Sequence, residues 1–279
     1  MKNLGYYNGK FGEIENMSIP MNDRVCFFGD GVYDATYSRN YKIFTLDEHI
    51  DRLYNSASLL DMNIAETKDE MKAILGEMVS KMDTGENFVY WQVTRGSGMR
   101  NHVFPENAKT NLWIAISPRD IVDTYKKVKL IAMEDTRFLH CNIKTLNLIP
   151  SVMASEKAKQ AGCDETVFHR GERVTECAHS NVHIIKDGVF RTAPTDNLIL
   201  PGIARAHLIK ACRKLGIPVS ETPYTLSELM DADEIIISSA GSLCLAAEEI
   251  DGKPVGGKAP ELLRMLQDEV LREFMEETD

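Results

Sequence analysis

The chain has 279 residues, 43% hydrophobic and 27% charged, the balance of a folded globular protein long enough for about two domains. Its formal net charge is −10, from 32 basic against 42 acidic side chains, so neither nucleic acid nor an anionic membrane is expected as a partner. Six scattered cysteines without metal-ligand spacing read as reduced thiols, and with no export signal and no run of ~20 apolar residues the expectation is a soluble, cytoplasmic protein.

In chain order, Asn8-Gly9 signals a tight hairpin between two short β-prone stretches. Thr45-Leu-Asp-Glu48 has the form of a capping box opening a helix through Leu60, and Thr67-Lys-Asp-Glu70 has the same form before a helix to about Met82. Strands are expected at Phe88–Thr94 and Leu112–Ser117, separated by an irregular stretch from Arg95 to Thr110 rich in Gly, Asn and Pro. The polar segment 119–125 reads as a linker between a smaller N-terminal domain, 1–118, and a larger C-terminal domain, 126–279. The second half resumes with a strand at Val128–Met133 and a helix at about Ser151–Ala161, started near Pro150 and stopped by Gly162. Strands follow near Thr166–His169, His183–Ile185 and Val189–Thr192, the last two joined by Asp187-Gly188. A helix over Ile203–Leu215, a buried strand over Glu234–Ser239 and an amphipathic helix over Glu261–Glu277 close the chain. Strands and helices mix without strict alternation, so the class is α+β or mixed α/β in two lobes.

Two lone charges stand out. Lys144 lies in the mildly apolar run His140-Cys-Asn-Ile-Lys-Thr-Leu-Asn-Leu-Ile149, and Glu176 lies in the β-prone stretch Val174–Val182. A lysine able to form an imine and a carboxylate able to hold a pyridine nitrogen protonated are what pyridoxal phosphate needs, although either residue alone reads as a solvated surface charge. Leu200-Pro-Gly-Ile-Ala-Arg-Ala206 runs a turn into a helix, where the amides of Ile203 and Ala204 suit a phosphate. Ser238-Ser-Ala-Gly-Ser242 is a second small-residue turn with accessible amides. Arg52 has the simplest explanation in an i,i+4 pair with Glu48. Arg100 and His102 alternate on the glycine-rich stretch Thr94-Arg-Gly-Ser-Gly-Met-Arg-Asn-His102, and together suit a substrate carboxylate.

Taken together, Phe28-Gly-Asp-Gly-Val-Tyr33, His49-Ile-Asp-Arg-Leu-Tyr54, the lysine segment, Val174-Thr-Glu176 with Ser180-Asn-Val182, and Gly202-Ile-Ala-Arg205 resemble, in order, the class IV (fold-type IV) pyridoxal-phosphate-dependent aminotransferases. The likeness spans nearly the whole chain and is greatest to the D-amino acid branch. It implies a two-domain fold with pyridoxal 5′-phosphate between the lobes, a homodimer, and a ping-pong, Schiff-base transfer of an amino group from an amino acid to a 2-oxo acid. It implies Lys144 as the Schiff-base lysine and proton shuttle, and Glu176 at the pyridine nitrogen. Arg52, Ile203, Ala204 and the Ser239-Ala240 turn are implied at the phosphate, Leu200 beside the ring and Arg137 near the phenolic oxygen. Tyr33, Arg100 and His102 are implied as the carboxylate trap, with the loop reaching the neighbouring subunit. The chain departs from the pattern at Ala240-Gly241, where threonines are expected, at His140, where a second arginine is usual, and at His179, in place of a small residue. Branched-chain L-amino acid aminotransferases and aminodeoxychorismate lyase share Lys144 and Glu176, and Arg100-x-His102 favours the D-amino acid aminotransferase over the lyase. A non-catalytic pyridoxal phosphate or anion-binding module is the reading outside enzymology, and the presence of both lysine and glutamate speaks against it.

Overall fold

A computed structural model describes all residues from Met1 to Asp279. The chain divides into two compact units: Met1–Asp120 with Ile143–Asn147 and Met275–Asp279, and Ile121–Asn142 with Leu148–Phe274. The five residues around Lys144 therefore belong to the first unit, although the chain on either side of them belongs to the second.

The first unit is built on a six-stranded antiparallel sheet of order β2-β1-β6-β5-β3-β4. Its strands are β1 (Leu4–Tyr7), β2 (Lys10–Glu13), β3 (Gly31–Arg39), β4 (Lys42–Ile43), β5 (Asn87–Thr94) and β6 (Asn111–Pro118). Asn8 and Gly9, at φ of 44° and 87°, make the expected β1–β2 hairpin, whose twist needs positive φ at both positions. One sheet face carries Val32, Val89, Trp91, Val93, Leu112, Ile114 and Ile116. It packs on α2 (Leu46–Ser58) through Ile50, Leu53 and Ala57, and on α3 (Lys68–Ser80) through Met71, Leu75 and Val79. Each such large side chain contributes about 1.5–3 kcal/mol by leaving water. Thr67 caps α3 through the full reciprocal box with Glu70. Thr45 does not cap α2: its backbone is left-handed, at φ 48° and ψ 39°, which turns the hydroxyl away from the first-turn amides. The short α1 (Arg24–Phe28) is capped by Asp23.

The second unit holds a nine-stranded mixed sheet of order β12-β11-β10-β13-β14-β7-β8-β9, with β15 added on β14. Its strands are β7 (Lys127–Glu134), β8 (Glu165–Arg170), β9 (Arg173–Cys177), β10 (Asn181–Lys186), β11 (Val189–Thr192), β12 (Val219–Ser220), β13 (Glu234–Ser238), β14 (Leu245–Ile250) and β15 (Lys253–Pro254). The helices are α4 (Ile149–Gln160), α5 (Ile203–Lys214), α6 (Leu226–Met230) and α7 (Pro260–Glu277), the last ending within the first unit. Val128, Leu130, Val167, Val174, Val182, Ile184, Ile235 and Ile237 form the core of one sheet face. The cysteines are all unpaired, and no helix is long and apolar enough to cross a membrane.

Candidate active site

The Lys144 segment is held by its backbone. Tyr33 N–H donates to the Lys144 carbonyl at 3.0 Å, Leu146 N–H to the Gly31 carbonyl at 3.1 Å, and Lys144 N–H to Ser56 Oγ at 3.2 Å. A bridge between Val32 and Thr145 completes this short antiparallel addition to β3. Gly31 is required at the contact, because a Cβ there would lie 2.6 Å from the Val93 carbonyl and 2.7 Å from Leu146 Cδ1. With the main chain so fixed, the Lys144 side chain is left to itself. Its Nζ sits 4.4 Å from the centroid of the Tyr33 ring and makes no ion pair or hydrogen bond. Tyr33 in turn stacks on Tyr90, with centroids 5.5 Å apart.

On the opposite side of β3, fully buried Asp34 gathers His49 and Arg52 from α2. Its Oδ1 is 2.7 Å from His49 Nδ1 and 2.6 Å from Arg52 Nη2, and its Oδ2 accepts from Arg52 Nε at 2.9 Å. Burial works to raise the Asp34 carboxyl, but the charges and hydrogen bonds of Arg52 and His49 prevail and lower it. His49 is lowered, by burial first, with the charges of Arg52 and Lys144 adding to the effect against Asp34. Arg52 thus has a buried ion-pair partner in an aspartate eighteen residues away in sequence.

The stretch from Arg95 to Thr110 is tied down by arginines that the sequence reading did not single out. Buried Arg24 donates to the carbonyls of Asn101 (2.7 Å) and Val103 (3.2 Å) and to Asp30 (2.7 Å). Arg95 donates to the same Asp30 and to the carbonyls of Leu60 and Asp61. Exposed Arg100 and His102 converge on one ring: the guanidinium carbon of Arg100 and the imidazole centroid of His102 each lie 5.3 Å from the Phe28 centroid. Neither has a hydrogen bond or ring contact with Tyr33 or Lys144. The motif Phe28-Gly-Asp-Gly31 thereby has a physical content of platform, ion-pair anchor and close-packed glycine.

In the second unit the chain turns from β9 into β10 within three residues, closed by Cys177 N–H to the Ser180 carbonyl at 2.8 Å. That turn sets Glu176 beside Asn181. Glu176 is 5% exposed; its Oε1 takes the Arg137 guanidinium, and its Oε2 accepts from Asn181 Nδ2 and from Leu200 N–H, each at 3.0 Å. Arg137 also grips both oxygens of Asp135 at 2.9 Å, so its charged form is held above the usual arginine range, against burial and with Asp135 and Glu176 in favour. Burial raises the Asp135 carboxyl, yet Arg137 and Arg170 outweigh it and bring it down.

Asn181 also donates to the Leu200 carbonyl at 3.1 Å and packs against Gly202, where a Cβ would lie 2.0 Å from its Oδ1. Gly202 is the N-cap of α5 and offers no side-chain cap, leaving the first-turn amides of half-buried Ile203 and Ala204 to an outside acceptor. Ser238 pairs with Asn181 across β10 and β13, which brings the turn Ser239–Ser242 to the same end of the sheet. In that turn Ser239 Oγ accepts from Ser242 N–H at 3.2 Å, so the hydroxyl shapes the loop, and Ala240 contributes only backbone. The structure thus brings Arg137, Glu176, Leu200, Ile203, Ala204, Ser239 and Ala240 into one neighbourhood and Lys144 with Tyr33 into another, while Arg52 lies with Asp34 and His49 on the other side of β3. Asn181 and Asp135 complete the first of these, and only the Ser180-Asn-Val182 motif hinted at either.

Residues 31–250 match the sequence profile of the family described as amino-transferase class IV. The D-alanine aminotransferase of Listeria monocytogenes serotype 4b (strain F2365) is 42% identical over 253 residues, 89% of this chain and 88% of that protein. The D-alanine aminotransferase of Staphylococcus haemolyticus is 35% identical over 267 residues, covering 94% and 95%. Among solved structures, the branched-chain amino acid aminotransferase of Escherichia coli superposes with a TM-score of 0.88 at 21% identity, over 100% of this chain and 96% of that one, a likeness of fold.

Proposed function

The chain belongs to the class IV aminotransferases, and from that premise we propose that it moves the amino group of a D-amino acid, D-alanine foremost, to a 2-oxo acid. The relatives named D-alanine aminotransferase, which match it over most of its length, support that choice of substrate. The observation that carries the reading is the lysine: a main chain bonded at three points presents an amine with no carboxylate to neutralise it. Pyridoxal 5′-phosphate is the enzyme's cofactor, and the residues present suit it: a free amine at Lys144, a buried carboxylate at Glu176, and an uncapped helix start at Ile203 and Ala204 for a phosphate.

When bound, pyridoxal 5′-phosphate supplies an aldehyde that reacts with amines and a protonated pyridine ring that draws electrons from the substrate carbon. Lys144 Nζ is the nucleophile for that aldehyde. With a substrate amine in its place, the freed Nζ would be the base that carries the proton from the substrate α-carbon to the former aldehyde carbon, the transfer that amino-group exchange requires. Glu176, its carboxylate oriented by Arg137, Asn181 and the Leu200 amide, would accept the pyridine N–H and keep that proton in place. Ile203, Ala204 and the Ser239-Ala240 turn would hold the phosphate by backbone amides, with Arg52 assigned to it by the family pattern. Leu200 would pack beside the ring, and Arg137 would supply positive charge toward the phenolic oxygen. Two half-reactions alternate on one site, giving ping-pong kinetics.

Arg100, His102 and Tyr33 receive the substrate carboxylate. We further read the protein as a cytoplasmic homodimer in which the Arg100–His102 loop serves the neighbouring subunit. The exposure of that loop, with Met99 at 87% and Val103 at 67%, supports this, as do six unpaired cysteines. The test is a panel of D- and L-amino acids with 2-oxoglutarate, following pyruvate release from alanine with a D-insensitive coupling enzyme, and light scattering for the mass. Turnover of D-alanine well above L-alanine and L-leucine is the expected result. Preference for L-leucine, or a monomer with full activity, overturns the respective reading.

A further inference from the structure

One buried network in the second unit goes unused by the residues assigned so far. His183 on β10 is completely buried and stacks on Phe190 with centroids 5.1 Å apart. Its Nδ1 lies 2.9 Å from Thr192 Oγ1 and its Nε2 lies 2.8 Å from Ser238 Oγ. Thr192 Oγ1 also receives Arg205 Nε at 3.2 Å. Burial, aided by the Arg205 charge, pushes His183 down to about 3, so the imidazole is neutral at any physiological pH.

A neutral imidazole has one donor and one acceptor, and an arginine only donates. Thr192 therefore accepts from Arg205, and His183 Nδ1 is the one acceptor within reach of the Thr192 hydroxyl proton. That assignment puts the ring proton on Nε2, which donates to Ser238 Oγ. The chain of bonds then runs one way, from Arg205 through Thr192 and His183 to Ser238. It ends on the Ser238 hydroxyl proton, which has no acceptor on the protein although the residue is 2% exposed. Arg205 stands in the first turn of α5, and Ser238 immediately precedes the Ser239–Ser242 turn. The network therefore links both segments assigned to the phosphate.

We propose that His183 is a positioning residue for phosphate recognition: it fixes the Ser238 hydroxyl as a donor to the phosphoryl group and locks the start of α5 to the Ser239–Ser242 turn. The proposal rests on the reading of the protein as a pyridoxal 5′-phosphate enzyme. Removing one donor of this kind costs about tenfold in affinity. The test titrates the apoprotein separately with pyridoxal 5′-phosphate and with pyridoxal, which lacks the phosphate. His183→Phe keeps the volume and the stack on Phe190 while cutting the chain, and Ser238→Ala removes only the terminal donor. Both variants are expected to bind pyridoxal 5′-phosphate about tenfold more weakly and pyridoxal as the parent does. Equal loss for both ligands, or no loss for either, overturns the proposal. Should His183→Phe fail to fold, Ser238→Ala decides alone. A parent protein that binds neither ligand removes the enzymatic reading itself, and that result is seen before any variant is compared.

Discussion

Replacing Gly202 with alanine tests whether Glu176 is oriented through Asn181. The added Cβ would stand 2.0 Å from Asn181 Oδ1, whereas ordinary contact begins at 3.4 Å. The amide must swing away by more than its hydrogen bonds tolerate, since they already measure 3.0 Å to Glu176 Oε2 and 3.1 Å to the Leu200 carbonyl. The first bond goes to a charged group, worth about 1.5–3 kcal/mol, and the second is neutral, worth about 0.5–1.5 kcal/mol. Gly202→Ala should therefore destabilise the protein by about 2–4 kcal/mol in urea unfolding at neutral pH. The decisive assay is a double-mutant cycle with Asn181→Ala, which removes the obstructing amide. In that background the glycine substitution should cost less than about 1 kcal/mol, because the clash has gone. Additive effects would show that Asn181 is not what Gly202 accommodates, and the chain of orientation argued from Gly202 to Glu176 would fail with them.

Lys144→Ala should abolish transamination and the visible absorbance of the bound cofactor while leaving the urea midpoint within experimental error, because the segment is bonded through its backbone; residual turnover near the parent value would exclude the lysine's role. Replacing Arg100 and His102 together with alanine should raise KM for D-alanine by at least about tenfold with little change in stability, as both are exposed, and an unchanged KM would remove them from substrate binding. Glu273 accepts from His207 and Lys210 at 2.8 and 2.7 Å; burial opposes its ionisation, yet these partners bring it from 4.5 to about 2. Its folded-state value is depressed, so its contribution is complete above the unfolded value near 4.5 and disappears as pH falls toward 2. Glu273→Gln should flatten that part of the stability curve, measured by urea midpoints from neutral to acid pH; an unaltered slope would refute the pairing.

Local chemistry made much of the fold legible. Asn8-Gly9, the Thr67–Glu70 box and the stop at Gly162 act through their own or adjacent backbone, so a short window contains the cause. Thr45 shows the limit of such windows, since its motif is the same but the chain enters α2 from a left-handed residue. β3 was missed because its core-facing positions include Asp34, Thr36 and Ser38, while Tyr33, Ala35 and Tyr37 alternate with them. The usual pattern of apolar inside and polar outside is inverted there by the needs of a buried ion-pair cluster. Relations across long stretches of chain left no trace at all: Asp34 with Arg52, Asn181 with Gly202, and the return of Ile143–Asn147 to the first unit each depend on tertiary packing. Lys144 and Glu176 were legible as candidate residues by type, whereas the groups that orient them were not.

The backbone tethering of Lys144 has an evolutionary consequence. On the proposed role of Lys144, selection at this codon would be chemical rather than architectural, since the bonds that hold the segment come from its backbone. On that role, a single substitution there would turn a working catalyst into a stable, inert shell in one step. Descendants freed from catalysis can therefore keep the scaffold intact and be recruited to other tasks. Conversely, an idle copy can regain its chemistry by restoring one amine.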